Sequence, residues 1–273
     1  MHFLDRRDAG RVLAAELSSL ADERPVVVAL PRGGVPVAAE VARLLNAPLE
    51  ILAVRKLGAP GNPELGVGAI AEDGTAVLDE RSAGAVGMTQ EMLEETVVRE
   101  AAELERRVER YRAGHTRIPV EGRTVIIVDD GLATGLSDLA AVRALRKAAA
   151  RRIVVAVPVG SGESVRMLAE EADAVVCVLT PRMLFGVGLW YEDFSPVSDE
   201  QVLALLREAR AREADERRKP EASSLDARDH PEEGDRRDED RAPEQGEAPE
   251  QREAPEQDGP PEEDDGRQPW RTM

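Results

Sequence analysis

The sequence predicts an α/β fold: a parallel, twisted sheet of about five strands flanked by helices. Three observations lead there. Leu49 to Val54, which includes Glu50, reads as one strand, and short apolar runs rich in β-branched residues recur along the chain: Val26-Val27-Val28-Ala29-Leu30, Val125-Ile126-Ile127-Val128, Ile153 to Val157 and Ala174 to Leu179. They lack polar alternation, so they read as strands buried on both faces. The segments between them place apolar residues at helical spacing, and alternating β and α units of this length imply a parallel sheet. Two of the strands also run through small-residue loops directly into a helix, the kind of corner at which open α/β sheets hold ligands.

Taken in order, residues 6–20 set Val12, Leu13, Leu17 and Leu20 on one helical face. Pro25 ends the connection to the first strand, which runs into Pro31-Arg32-Gly33-Gly34 and then a helix from Val37 to Leu45. Glycines suit a place where backbone must approach a ligand closely. The strand from Leu49 ends at Arg55-Lys56, and Leu57 to Gly66 is rich enough in Gly and Pro to read as a loop without regular structure. A loop of that length inside a compact domain is usually functional or disordered. Thr89 to Tyr111 reads as a long polar helix with one seam of Leu93, Val97, Ala101, Leu104, Val108 and Tyr111, suited to the core or to a subunit contact in a homodimer. Helices over Ser137 to Leu145 and Glu163 to Glu171 separate the last strands. Ser198-Asp199-Glu200-Gln201 has the form of a capping box opening a helix from Val202 to Arg210.

The chemistry concentrates in Val125-Ile126-Ile127-Val128-Asp129-Asp130-Gly131-Leu132-Ala133-Thr134-Gly135-Leu136-Ser137. Two carboxylates at the end of a buried strand can accept hydrogen bonds from a vicinal diol. The loop from Ala133 through Thr134, Gly135, Leu136 and Ser137 offers backbone amides and two hydroxyls at a helix N-terminus, which suits a phosphate. A diol and a phosphate at that separation describe a ribose 5-phosphate. An ordinary capped strand–loop–helix corner accounts for one acid but not for an adjacent pair. A P-loop is excluded, because no lysine lies between Val125 and Arg146. A phosphatase using Asp129 as nucleophile is a further reading of the same acids.

This thirteen-residue run resembles the phosphoribosyl-diphosphate (PRPP) signature of the type I phosphoribosyltransferases: an apolar strand, two acids, a short loop, then Thr-Gly-x-Ser/Thr. The resemblance covers roughly residues 1–210. It implies a small hood and a flexible flap around the sheet, and transfer of 5-phosphoribose from PRPP to a nucleobase or related nitrogen nucleophile. Asp129 and Asp130 would serve catalysis at the ribose, and Ala133 to Ser137 would hold the 5-phosphate. The pyrophosphate would meet Arg32, Gly33, Arg55 and Lys56, with Pro31–Arg32 the candidate cis peptide bond. Leu57 to Gly66 would be the flap that shields an electron-poor ribosyl centre from water. Mg2+ would be held mainly by PRPP and water, with Asp129 and Asp130 as candidate protein contacts. The hood would begin after the last strand, where Phe185, Trp190 and Tyr191 suggest a surface for a planar base; Trp190 and Phe194 also suit core plugs. Ala133 stands where the hypoxanthine–guanine branch carries a further Asp, so the motif looks more like that of the adenine branch. The family also includes regulators that bind nucleotides without turning them over, which leaves a PRPP or nucleotide sensor as the alternative.

The formal net charge of −18 disfavours nucleic acid as a main partner. From Ala211 onward 22 acidic residues face 11 basic ones, and Ala-Pro-Glu-Gln recurs at 242, 248 and 254. Residues 211–273 are therefore expected to form a disordered acidic tail of unknown partner, beyond a domain at 1–210. No apolar run approaches the ~20 residues of a membrane span. The one cysteine, Cys177, lies in an apolar run as a buried structural thiol. A cytoplasmic location is expected.

Overall fold

The structure, a computed structural model, describes residues 2–59 and 62–225, with backbone alone at 63, 64 and 217–225. Its centre is a five-stranded sheet in which every pairing is parallel. The strands are β1 (Val26–Ala29), β2 (Leu49–Ile51), β6 (Thr124–Val128), β7 (Arg152–Val159) and β8 (Ala174–Leu179), in the order β2-β1-β6-β7-β8. Successive side chains of a strand point to opposite faces. Val27, Ala29, Ile126, Val128, Val154 and Ala156 thus enter one apolar layer, and Val26, Val28, Val125, Ile127, Ile153 and Val155 enter the other. Both faces are covered, which is why these strands carry no polar alternation.

The first layer is closed by α1 (Arg6–Glu16), α2 (Gly34–Leu44) and the start of the last helix, and the second by α5 (Leu136–Lys147). After β1 the chain moves outward to β2, and it returns only at β6 on β1's other side. The carboxyl ends of β1 and β6 therefore flank the switch point, where open parallel sheets leave a crevice. Pro31 to Gly34 and Asp129 to Gly135 are the loops leaving those two ends.

The run read as one strand from Leu49 to Val54 is two. The first sheet keeps only Leu49 to Ile51, and the chain turns at Leu52 and Ala53 into β3 (Val54–Ala59). The expected irregular flap is corrected in the same way. β3 pairs antiparallel with β4 (Asn62–Ala71), and β4 with β5 (Ala76–Leu78), in a separate three-stranded sheet. Glycine had disguised these strands. At Gly58 the register shifts through an irregularity in the pairing, and at Gly68 a Cβ would collide with the Val77 carbonyl oxygen. Bulges and close backbone approach are the uses of glycine inside a strand. Pro60 and Gly61, at the tip, lie outside the described residues.

α3 (Glu80–Ala85) and α4 (Gln90–Arg112) follow. The apolar seam of α4 is core. Leu104 and Tyr111 are buried, with Leu93, Val97, Ala101 and Val108 packed against the same cluster. After α6 (Gly162–Ala169) and β8, residues 180–198 wrap the sheet edge through a 3-10 turn at Val187–Trp190. The capping box forms as read: the Ser198 amide donates to Gln201 Oε1 (2.8 Å) and the Gln201 amide to Ser198 Oγ (3.2 Å). The helix it opens, α7 (Asp199–Leu225), continues past Arg210. The remainder of the expected acidic tail, 226–273, lies outside the described residues.

Candidate functional site

Asp129 and Asp130 follow β6 directly, and the loop after β1 lies against them. A Cβ on Gly34 would come 2.6 Å from the Val128 carbonyl oxygen and 2.9 Å from Asp129 Cα, and one on Gly33 would collide with the Asp130 carboxylate. Only glycine permits that approach. The Pro31–Arg32 peptide bond is cis.

The acids sit in a poorly solvated setting. Burial, followed by the charges of Asp130 and Asp138, pushes Asp129 well above the ordinary carboxylate range. Burial also raises Asp130, but here the Arg6 guanidinium opposes it, its Nε donating to Asp130 Oδ2 at 2.8 Å. A third carboxylate, Asp138 in the first turn of α5, is 2% exposed, and its Oδ1 has no hydrogen-bond partner. Burial first, then the Asp130 charge, pushes it up to about 7. Lys56 lowers all three and so offsets part of this negative charge.

Beyond the acids, the loop Ala133 to Ser137 leads into α5. Helices α1, α3, α4 and α6 open on side-chain caps from Asp5, Asp79, Thr89 and Ser161, whereas α2 and α5 open at Gly33 and Gly135 with none. Both uncapped helix ends are at the switch point, and uncapped amides suit an anion. The α5 loop is braced from behind, with Ser164 Oγ donating to the Ala133 carbonyl (2.8 Å). Gly135 takes a positive φ of 73°. A cavity of about 440 Å3 opens on Ala133, Thr134 and Leu136, walled by Leu78 to Arg81 and by Glu163, Ser164 and Met167. The acid pair does not line it and lies instead beneath Gly33 and Gly34.

The other sequence candidates divide. Of the two adjacent cations on β3, only Lys56 acts on the acids. Arg55 points to the opposite face, as strand alternation requires, and its Nε is paired with Glu100 of α4. Joint placement of Arg55 and Lys56 at one site is therefore corrected to Lys56 alone. Arg32 leans toward α7, where its Nη1 comes 3.7 Å from Asp199 Oδ1. Of the aromatic candidates, Tyr191 is corrected. Tyr191 is buried, packs on Phe3 and Phe194, and donates its hydroxyl to the Asp130 carbonyl at 2.6 Å, so it braces the acid loop instead of offering a stacking face. Trp190 stacks on His2, and Phe185 is 81% exposed.

Sequence reasoning missed Arg6, Asp138 and the bracing role of Tyr191. A signal for Arg6 existed: a cation in the first turn opposes the helix dipole, so Arg6 is poorly explained by helix stability. For Asp138, an acid in a first turn reads as ordinary dipole complementation, and its burial cannot be seen without tertiary structure.

Among the described residues no group of three or more His, Cys, Asp or Glu is arranged to hold a metal ion. Carboxylate oxygens such as those of Asp129 and Asp130 suit a hard divalent cation.

A family model described as a phosphoribosyl transferase domain matches residues 4–191. Two curated Mycobacterium tuberculosis proteins are similar to this chain: "Putative phosphoribosyl transferase MT0597" of strain CDC 1551 / Oshkosh and "Putative phosphoribosyl transferase Rv0571c" of strain ATCC 25618 / H37Rv. Each is 47% identical over 207 residues, which is 76% of this chain and 47% of the relative. The chain thus spans about half the length of these relatives. Among solved structures, TT1426 from Thermus thermophilus aligns with a TM-score of 0.65 at 46% identity, covering 76% of this chain and 99% of that one.

Proposed function

The chain belongs to the phosphoribosyl transferase domain family, and from that premise we propose that it transfers 5-phosphoribose from PRPP to a nucleobase or related nitrogen nucleophile, releasing pyrophosphate. The observation that carries this reading is the switch-point crevice itself: two adjacent carboxylates, and beside them a helix start with no side-chain cap. The acids would take the ribose hydroxyls, and the loop from Ala133 to Ser137 the 5-phosphate. As the bond from C1 to the pyrophosphate oxygen breaks, positive charge grows on the sugar. Asp129 and Asp130 then favour the transition state electrostatically, more strongly for being poorly solvated. The new bond forms between C1 and the acceptor nitrogen.

At the other end of the substrate, the Gly33 amide, Lys56 and the exposed guanidinium of Arg32 would meet the pyrophosphate. Asp129 and Asp130 are the residues that would contact a Mg2+ ion carried in mainly by PRPP and water, and such an ion would supply charge neutralisation for the departing pyrophosphate. The β3–β4 hairpin would exclude water from the sugar. A cytoplasmic location belongs to the same proposal; among the described residues no helix is long and apolar enough to cross a membrane.

A second reading, binding of PRPP or a nucleotide without turnover, is favoured by one observation. Tyr191 is spent in the core and Trp190 stacks on His2, so of the three candidate rings only Phe185 offers an open face to a base. Incubation with PRPP, Mg2+ and a panel of nucleobases, assayed for pyrophosphate, separates the two. Turnover with any base, lost in Asp130→Asn, supports transfer. Tight PRPP binding with no product across the panel supports the sensor.

A further inference from the structure

We propose that Arg6 is a positioning residue for the sugar end of the crevice, acting through Asp130 by fixing which carboxylate oxygen is offered to the ribose. The inference rests on the phosphoribosyl reading above and adds to it a residue from the opposite end of the domain.

Arg6 opens α1, behind the N-cap Asp5. Its side chain is only 10% exposed, and two of its three guanidinium nitrogens donate hydrogen bonds. Nε donates to Asp130 Oδ2 at 2.8 Å, Nη1 donates to the Ser195 carbonyl at 2.9 Å, and the guanidinium lies 3.8 Å above the centre of the Phe194 ring. Three contacts in three directions hold a long side chain in one rotamer. Asp130 is held correspondingly. Oδ2 is committed to Arg6, the backbone carbonyl accepts from Tyr191, and Gly33 closes over the carboxylate. Oδ1 is the oxygen left uncommitted to Arg6, and the clamp decides where it points.

The clamp has its own scaffold. The Phe3 amide donates to the Trp190 carbonyl, and the Glu192 and Asp193 amides donate to the carbonyls of Phe3 and Leu4, each at 2.9 Å. Residues 3–4 and 190–193 are thereby stitched together outside the main sheet, bringing Arg6, Tyr191 and Phe194 to Asp130 as one unit. A cation in the first turn of a helix works against the helix dipole. Its pairing with an acid 124 positions away is where it gains. A charge-assisted contact in a poorly solvated place is both strong and directional.

The test compares Arg6→Met, which keeps the stem over Phe194, with Arg6→Lys, which keeps the charge and loses the fork. Calorimetric titrations use three ligands with Mg2+: PRPP, ribose 5-phosphate and inorganic pyrophosphate. Thermal melts are recorded alongside. Arg6→Met is expected to melt cooperatively and to lose roughly 10- to 100-fold in affinity for PRPP and ribose 5-phosphate, as for one charged hydrogen bond. Pyrophosphate affinity stays at the wild-type value, and Arg6→Lys recovers part of the loss. Should Arg6→Met melt without cooperativity, Arg6→Lys carries the test by the same selective loss of ribose-bearing ligands in a folded protein. Wild-type affinity for all three ligands in both variants overturns the inference, as does an equal loss of all three. A wild-type protein that binds no ribose-bearing ligand overturns the phosphoribosyl reading itself, and with it this inference.

Discussion

Asp129 and Asp130 are sequence neighbours with different surroundings, and the difference comes from residues far away in the chain. Asp130 is paired with Arg6, whereas Asp129 lies under Gly34 with no cation in contact among the described ion pairs. A Cβ at position 33 would occupy the space of the Asp130 carboxylate. Gly33→Ala should therefore lower the melting temperature, because the Asp130 carboxylate must move off Arg6 to make room, and cost up to roughly 100-fold in turnover, the scale expected of an ångström-sized misplacement. Pyrophosphate release by the variant checks this. Asp138 gives a pH prediction. Its folded-state value of about 7 lies above its ordinary 3.8, so the native protein holds an extra proton between those limits. Stability from this group is then greatest at low pH and is lost as pH rises through 7. Asp138→Asn, which mimics the neutral acid, should melt several degrees above wild type at pH 8 and show a much smaller gain at pH 5. Differential scanning calorimetry at the two values measures the difference. At this scale the adjacency of the acid pair and the uncapped helix start was legible, since those residues are contiguous. It could not sort Arg55 from Lys56, whose difference is the face of a strand not yet recognised as one.

Among elements, the antiparallel hairpin was the hardest to read and has the clearest consequences. Its strands carry Gly58, Gly66 and Gly68, and glycine in quantity mimics a loop. The pairing of β3 with β4, and the burial of Leu57, Val67, Ala69 and Ile70, supply what the composition seemed to withhold. Because β3 alternates, its two cations make opposite predictions. Lys56→Met should weaken PRPP binding about tenfold, the cost of one charged contact. Arg55→Met should leave binding within about twofold and lower stability by under about 1 kcal/mol, the range for a partly exposed ion pair. Calorimetric titration with PRPP and denaturant unfolding distinguish them. The parallel strands, by contrast, were legible at once. A run buried on both faces must be apolar throughout, and little else in a chain of this composition looks like that.

At the level of the whole molecule, the site follows from topology. The chain leaves β1 in one direction and returns to its other side at β6, so two loops far apart in the chain converge on one crevice. Glycines at 33 and 34 let them meet, and of the residues near both ends of the domain Arg6 pairs with the Asp130 carboxylate while Tyr191 donates to the Asp130 backbone carbonyl. The alternation of β and α implied the parallel sheet, and the corner motif implied the family to which the chain belongs. Neither could reveal that the amino-terminal segment pairs with 190–193, because that contact leaves no periodicity in either stretch. A crystal structure with PRPP and Mg2+ bound tests the central claim most directly. The ribose hydroxyls should lie within hydrogen-bonding distance of Asp129 and Asp130, with the 5-phosphate on the amides of Ala133 to Ser137. A sugar phosphate bound elsewhere, with the acid pair untouched, would contradict the account.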